Sequence, residues 1–285
     1  MNLIDLHNHF KEQLRSIYEK EEISIFFYML TEYRLKLDRV AIALEPNYKL
    51  SLDDFVYYKD ALLHLAEQKP IQYFIGETSF YSLDFYLTPE TLIPRPETEE
   101  LVAWILQEIA ENFKSKTIKI LDIGTGSGAI AISLAKNAPN VNVTAIDISS
   151  QALEVAKKNA KRNDVDIDFL KIDILKTANL QEDYDIIVSN PPYVRDLEKK
   201  EMQKNVLLYE PSLALFVSDD SPLIFYKKIT ELAKNHLTPK GLLFFEINQY
   251  LGKETVELVE KMDFTTVELR KDFLENDRMI KASFE

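Results

Sequence analysis

A β-rich run from Thr117 to Ile123 leads into Gly124-Thr125-Gly126-Ser127-Gly128 and then into Ala129-Ile130-Ala131-Ile132-Ser133-Leu134-Ala135, which reads as a helix. Strand, glycine loop and helix in immediate succession are the nucleotide-binding opening of a doubly wound α/β fold, with the ligand held against backbone N–H groups at the helix start. The glycines allow a tight turn and a close approach of main chain to ligand. A second strand, Val141 to Ile146, ends in Asp147, a carboxylate placed to accept hydrogen bonds from both hydroxyls of a ribose. As Gly124-x-Gly126-x-x-Ala129 the same glycines also fit a dinucleotide fingerprint, so this segment alone leaves the ligand class open.

Two further strands complete the half-sheet. Ile167 to Ile172 ends near Asp173 and Ile174. Asp173 suits an adenine amino group and Ile174 an apolar contact, although an ordinary loop carboxylate and a core aliphatic account for them equally well. Tyr184 to Ser189 then delivers Asn190-Pro191-Pro192-Tyr193 to the carboxyl edge of the sheet, where such folds bind their ligands. A planar NH2 group has a delocalised lone pair and is a poor nucleophile, so alkylating it requires that its two N–H bonds be held. The Asn190 side-chain oxygen and the Pro191 carbonyl offer two adjacent acceptors. The prolines fix φ and preorganise them, and Tyr193 adds an aromatic face. A proline-stiffened turn is the plain alternative for the tetrapeptide taken alone.

At 285 residues the chain has room for one large or two modest domains. Its net charge of −13 is opposite in sign to that of proteins that wrap phosphate backbones, which weighs against stable nucleic-acid binding. The absence of cysteine removes disulfides, thiolate metal sites and a catalytic thiol from consideration, and no metal is expected. The first residues lack a basic stretch followed by an apolar core, and no apolar run reaches membrane-spanning length. A soluble, cytoplasmic, monomeric protein without a membrane partner is expected.

Residues 1–70 read as a helical domain. Ile23, Phe26, Phe27, Leu30 and Tyr33 recur at helical spacing, and Ser51 with Asp54 resembles a capping box ahead of Phe55, Tyr58, Leu62 and Leu65. Nine basic and twelve acidic side chains up to Lys69 do not make a nucleic-acid arm. His7 and His9 have no companion ligands nearby and read as surface residues, while His64 and His236 fall on helical patterns and read as structural. The domain either docks a partner or merely caps the fold. Residues 71–90 turn β-branched and aromatic around Gly76 and Ser82, predicting an antiparallel hairpin linker that includes Tyr73-Phe74-Ile75 and Phe80-Tyr81. Residues 91–285 form the α/β domain. The loop from Thr88 to Thr98 leads into it, stiffened by Pro89, Pro94 and Pro96; its Arg95 either meets a carboxylate or simply holds the loop, and Thr98 then starts a helix.

A glycine loop after the first strand, an acid after the second and Asn-Pro-Pro-Tyr after the fourth resemble a class I S-adenosylmethionine-dependent methyltransferase acting on a planar nitrogen. Two families share this arrangement, the adenine amino-methyltransferases of DNA or RNA and the glutamine methyltransferases of peptide chain release factors. The surroundings resemble the second: Leu92-Ile93-Pro94-Arg95-Pro96-Glu97-Thr98-Glu99-Glu100-Leu101-Val102, Asp122-Ile123, Glu210-Pro211 leading to Ala214-Leu215, the Pro70 to Gly76 link and Asp277-Arg278. The resemblance implies a Rossmann-like, seven-stranded sheet with the last strand inserted antiparallel, joined to a small N-terminal helical domain. It implies that Gly124, Thr125, Gly126, Ser127, Gly128, Asp147, Asp173, Ile174 and Asn190 contact S-adenosyl-L-methionine, leaving S-adenosyl-L-homocysteine as product. It implies that Asn190, Pro191, Pro192 and Tyr193 bind the glutamine of the Gly-Gly-Gln motif of class-one release factors and carry catalysis. The sequence departs from the family in three places. Ile174 stands near a frequent aromatic residue, the usual glycine after Glu246 is missing around Ile247-Asn248-Gln249-Tyr250, and Asn276 replaces a common glycine. Adenine methylation remains the alternative, but the basic channel it needs has no counterpart here.

Overall fold

A computed structural model describes residues 2–45, 48–113 and 117–284. The chain divides into two compact units, Met1–Glu77 with Gln203–Tyr209, and Thr78–Met202 with Glu210–Glu285.

The first unit is built from α1 (Leu3–Leu14), α2 (Lys20–Leu35), α3 (Arg39–Leu44), α4 (Leu52–Ala66) and α5 (Ile71–Ile75). Its core gathers Leu6, Phe10, Phe27, Leu30, Tyr58 and Leu65 at helical spacing. The capping box is present, with the Asp54 N–H donating to Ser51 Oγ and the Ser51 N–H to Asp54, whose carboxylate also receives the Arg34 guanidinium at 2.8 Å. Such a cap contributes about 1 kcal/mol. His7 is not a plain surface residue: it stacks on Phe27 with ring centroids 4.5 Å apart, and burial lowers its pKa to about 4. His64 Nε2 pairs with the Pro70 carbonyl at 2.9 Å.

Tyr73-Phe74-Ile75 is helical rather than extended. Pro70 sets φ at the entrance, and Gly76 in the left-handed region closes the helix by donating its N–H to the Gln72 carbonyl at 2.8 Å. Two good helix-end signals override the β propensity of the aromatic pair. The hairpin is shorter than the composition suggests: β1 (Glu77–Phe80) and β2 (Leu83–Tyr86), with Tyr81 and Ser82 at positive φ in the turn. All of it but Glu77 belongs with the second unit.

In the second unit α6 (Pro96–Asn112) starts two residues before Thr98, because Pro96 suits the first helical position. It is followed by β3 (Ile118–Ile123), α7 (Ala129–Asn137), β4 (Val141–Asp147), α8 (Ser150–Arg162), β5 (Asp168–Lys171) and β6 (Tyr184–Ser189). After the short β7 (Val194–Arg195) come α9 (Lys204–Tyr209), which belongs to the first unit, α10 (Ser212–Leu215) and β8 (Phe216–Val217). The chain ends with α11 (Ile224–His236), β9 (Leu237–Glu246), α12 (Gly252–Glu260), β10 (Thr266–Lys271) and β11 (Asp277–Ser283).

The central sheet has the order β10-β11-β9-β6-β3-β4-β5, with β11 antiparallel between β9 and β10 and the other neighbours parallel. The fold is therefore the expected α/β sheet of seven strands. β6 is buried along its whole length, as a central parallel strand covered on both faces must be. On one face α6 lays Trp104 edge-on against Phe244, and on the other Tyr226 of α11 meets Phe245 in the same way. Each of these fully buried phenylalanines contributes about 2–3 kcal/mol. His236 is structural as its spacing predicts, its Nε2 accepting the Leu180 N–H at 3.2 Å. No described helix is long and apolar enough to cross a membrane.

Candidate active site

The sheet order puts the ends of β3, β4 and β6 side by side, so the glycine loop, Asp147 and the tetrapeptide meet at one edge. A cavity of about 540 Å³ opens there, within the size range of small-molecule sites. Gly124, Gly126, Asp147, Asp173, Ile174, Asn190, Pro191 and Pro192 all line it. Thr125, Ser127, Gly128 and Tyr193 do not, and each has a different task.

Gly128 sits at φ +85°, and an added Cβ would lie 2.7 Å from Ile132 Cδ1 and 3.3 Å from Ala156, so any other residue at the entrance to α7 would be strained and would displace the Ile132 side chain. Asn159, wholly buried on α8, donates to the Ser127 carbonyl at 2.9 Å and exchanges two hydrogen bonds with the Tyr86 backbone of β2. This residue gave no signal in the sequence beyond being a polar side chain on a buried helical face. Asp147 accepts the Gly126 N–H at 2.9 Å through one oxygen and the Ser149 N–H at 2.9 Å through the other. It therefore holds the glycine loop open as well as facing the cavity. Asp173 accepts the Leu175 N–H and pairs with Lys176 at 3.0 Å, while Ile174 is buried in the cavity wall.

Thr125 donates its hydroxyl proton to Asp122 at 2.6 Å, and the other Asp122 oxygen has no partner. Burial pushes this carboxyl up to about 7, helped by the nearby Asp147 charge and resisted by the Thr125 hydroxyl and the Ala131 N–H. A carboxyl raised above its unfolded value near 4 binds more protons folded than unfolded between those two values, so stability falls as pH rises from about 4 to about 7. Chemical denaturation at pH 5 and pH 8 should show the wild type losing more stability over this interval than Asp122→Asn, by about 3 kcal/mol at most, the two pH units between 5 and 7 at about 1.36 kcal/mol each. Equal losses in both proteins would show that Asp122 is already ionised at pH 5.

The proline loop is anchored by a residue far along the chain. Arg95 meets the buried Glu210 carboxylate at 2.6 Å, and the second Glu210 oxygen accepts the Ile93 N–H at 3.2 Å. Both sequence readings of Arg95 thus hold, since it meets a carboxylate and thereby pins the loop. Thr91 and Leu92 from this loop and Pro211 and Ala214 from the segment after Glu210 line the cavity.

The tetrapeptide is tied down at both ends. Asn190 Nδ2 donates to Thr98 Oγ1 at 3.4 Å, Thr98 donates to Glu246 at 2.5 Å, and the Tyr193 hydroxyl donates to the other Glu246 oxygen at 3.0 Å. Complete burial raises the Glu246 carboxyl above its ordinary range, against the opposing effect of the two hydroxyl donors. Burial, and then the Glu246 charge, push the Tyr193 phenol far up, so it stays a donor. Behind it, Asn248 donates to the Tyr193 carbonyl at 3.0 Å and to Glu198 at 2.9 Å. Glu198 is in turn held below the usual carboxylate range, in spite of its burial, by Arg195 and Asn248. Asn248 falls in the stretch where the family's usual glycine is missing, and the structure gives it this bracing role.

The methyltransferase small domain model matches residues 103–215. Release factor glutamine methyltransferase of Flavobacterium psychrophilum is 58% identical over 96% of both chains. The protein of the same name from Bacteroides thetaiotaomicron is 40% identical over 96% of this chain and 97% of its own. The chain belongs to the release factor glutamine methyltransferase family. Among solved structures, a methyltransferase from Pyrococcus furiosus shares the fold, with a TM-score of 0.52 and 20% identity over 72% of this chain and 91% of that one. The family resemblance drawn from the motifs is thereby established, and the chain is a methyltransferase.

Proposed function

We propose that this enzyme transfers the methyl group of S-adenosylmethionine to the side-chain amide nitrogen of the glutamine in the Gly-Gly-Gln motif of class-one release factors, acting as a monomer in the cytoplasm. The observation that carries this reading is that Asn190 and Pro191 line the same cavity as Gly124, Gly126 and Asp147. A cofactor against the glycine loop then meets an amide held by the tetrapeptide. Asp147 takes the ribose hydroxyls with its remaining lone pairs, Asp173 and Ile174 meet the adenine, and the loop from Gly124 to Gly128 lies along the methionyl part. Thr125, Ser127 and Gly128 act there by shaping the loop, and Asn190 borders both ligands.

The Asn190 oxygen and the Pro191 carbonyl accept the two N–H bonds of the glutamine amide and aim its nitrogen at the sulfonium methyl. Pro192 stiffens the turn and Tyr193 offers its ring to the amide plane. S-adenosylmethionine, when bound, would supply an electrophilic methyl on a sulfonium leaving group, and the amide nitrogen, on taking that methyl, would give up one proton to solvent. The two acceptors stabilise the positive charge that grows on the N–H groups, so catalysis rests on positioning and electrostatics without a strong base. On the helical unit, Leu52, Val56 and Leu63 of α4 are 85%, 55% and 58% exposed, and this face suits docking of the release factor.

Mass spectrometry of a purified class-one release factor incubated with the enzyme and S-adenosylmethionine tests the reading, with an adenine-containing oligonucleotide alongside. One added methyl on the Gly-Gly-Gln glutamine is the expected result. Methylation of the oligonucleotide alone would replace this substrate by a nucleic acid.

A further inference from the structure

The acceptor loop faces a choice that its sequence does not resolve. A side-chain amide can turn either end toward a ligand, and only with its oxygen toward the substrate does Asn190 accept an N–H bond. Turned the other way it presents a donor, which repels an amide NH2 and attracts a carboxylate.

We propose that Thr98, held by Glu246, fixes the Asn190 amide with its oxygen toward the substrate, and so makes the loop select glutamine over glutamate. The inference rests on the functional reading above. It follows from counting protons along one chain of contacts. Glu246 is 1% exposed, and each of its two oxygens receives a hydroxyl donor, one from Thr98 and the other from Tyr193. Thr98, 4% exposed, has a single hydroxyl proton and gives it to Glu246 at 2.5 Å. What Thr98 turns toward Asn190 is therefore a lone pair, which takes an N–H and refuses a carbonyl. The Asn190 Nδ2 lies 3.4 Å from that oxygen, a long hydrogen bond of the kind that tightens in a loaded site. Its oxygen is left for the cavity that Asn190 lines.

The carboxylate is itself fixed. Its other oxygen receives the Tyr193 hydroxyl, its backbone carbonyl accepts the Tyr226 hydroxyl at 3.1 Å, and the next carbonyl, of Ile247, accepts from Arg278 at 3.3 Å. Thr98 and Glu246 are positioning residues, since they act through Asn190. Their polarity decides what the loop recognises: two acceptors, Asn190 Oδ1 and the Pro191 carbonyl, match an NH2 and repel a carboxylate that has no proton to offer.

The test compares the wild type with Thr98→Val, Thr98→Ser and Glu246→Gln. Each is assayed for kcat and KM on an intact class-one release factor. Each is also assayed for inhibition by the same factor carrying glutamate in place of the Gly-Gly-Gln glutamine, and for S-adenosylmethionine affinity by calorimetry. Thr98→Val keeps the shape and removes the hydroxyl; kcat should fall by about tenfold or more, the weight of one buried hydrogen bond, with cofactor affinity unchanged. Its preference for glutamine over glutamate, read as Ki over KM, should fall by at least about fivefold, because the freed amide turns its NH2 to the carboxylate. Thr98→Ser should restore both values. Glu246→Gln, which offers an N–H where only acceptors stood, should lose preference as Thr98→Val does. A drop in kcat with the preference unchanged in both Thr98→Val and Glu246→Gln would overturn the proposal and leave these residues a purely structural role. Failure of the wild type to methylate the release factor would overturn the functional reading, and this proposal with it.

Discussion

Asn190→Ala should abolish most methyl transfer, lowering the single-turnover rate by about two to three orders of magnitude. The substitution removes one of the two acceptors that hold the amide and leaves the Pro191 carbonyl alone, so the nucleophile can rotate out of line with the methyl group. It also leaves Thr98 without the N–H it accepts, although Glu246 keeps Thr98 and Tyr193 in place. Cofactor affinity should change by no more than about tenfold, since at most one hydrogen bond to that ligand is lost. Rapid-quench measurement of transfer, paired with calorimetric titration of S-adenosylmethionine, separates the two effects. A rate within a few-fold of wild type would mean that the tetrapeptide does not hold the acceptor nitrogen.

The second large effect is expected on binding. Asp147→Ala should weaken S-adenosylmethionine binding by at least about a hundredfold, or roughly 3 kcal/mol, from two lost hydrogen bonds to a charged group. The loss has two sources. The ribose would have no carboxylate to accept its hydroxyls, and the Gly126 and Ser149 N–H groups would lose the acceptor that holds the loop and the start of α8. Asp147→Asn should recover part of the affinity, because its one oxygen can still serve one backbone N–H. Burial raises the Asp147 carboxyl above its ordinary range, so loss of its charge offsets part of what the empty protein loses with these two backbone hydrogen bonds. Equilibrium dialysis would expose an error in this account if affinity were unchanged while the protein stayed folded.

What the sequence made legible was the chemistry carried by contiguous residues. The glycine loop, the acid at the end of β4 and the tetrapeptide after β6 each announce themselves within a few positions, whereas the antiparallel last strand came only with the family resemblance. The residues that brace them were not legible, because their partners are distant: Thr98 and Glu246 lie 148 positions apart, Ile93 and Glu210 117, and Tyr86 and Asn159 73. Thr98 looked like a helix start, and Glu246 stood out only for the glycine missing after it. Only the packing of α6 against β9, which sets the start of the helix beside the tip of the strand, makes a polar pair of them. The helix at Ile71–Ile75 was hidden for the opposite reason, since two end signals, Pro70 and Gly76, outweighed the residues between them.

The position of β11 has a consequence for synthesis. Met279, Ile280, Lys281 and Ala282 pair with Glu246, Phe245, Phe244 and Leu243 of β9, so the strand that ends in Glu246 gains its second neighbour only once residues 277–283 have been made. A nascent chain stopped before residue 277 would present Leu243, Phe244 and Phe245 along an open sheet edge, a template for aggregation and for chaperone capture. The glycine loop can close much earlier, on β3 and β4 alone. A ribosome translating this protein therefore completes the strands around the glycine loop before the support of the acceptor loop.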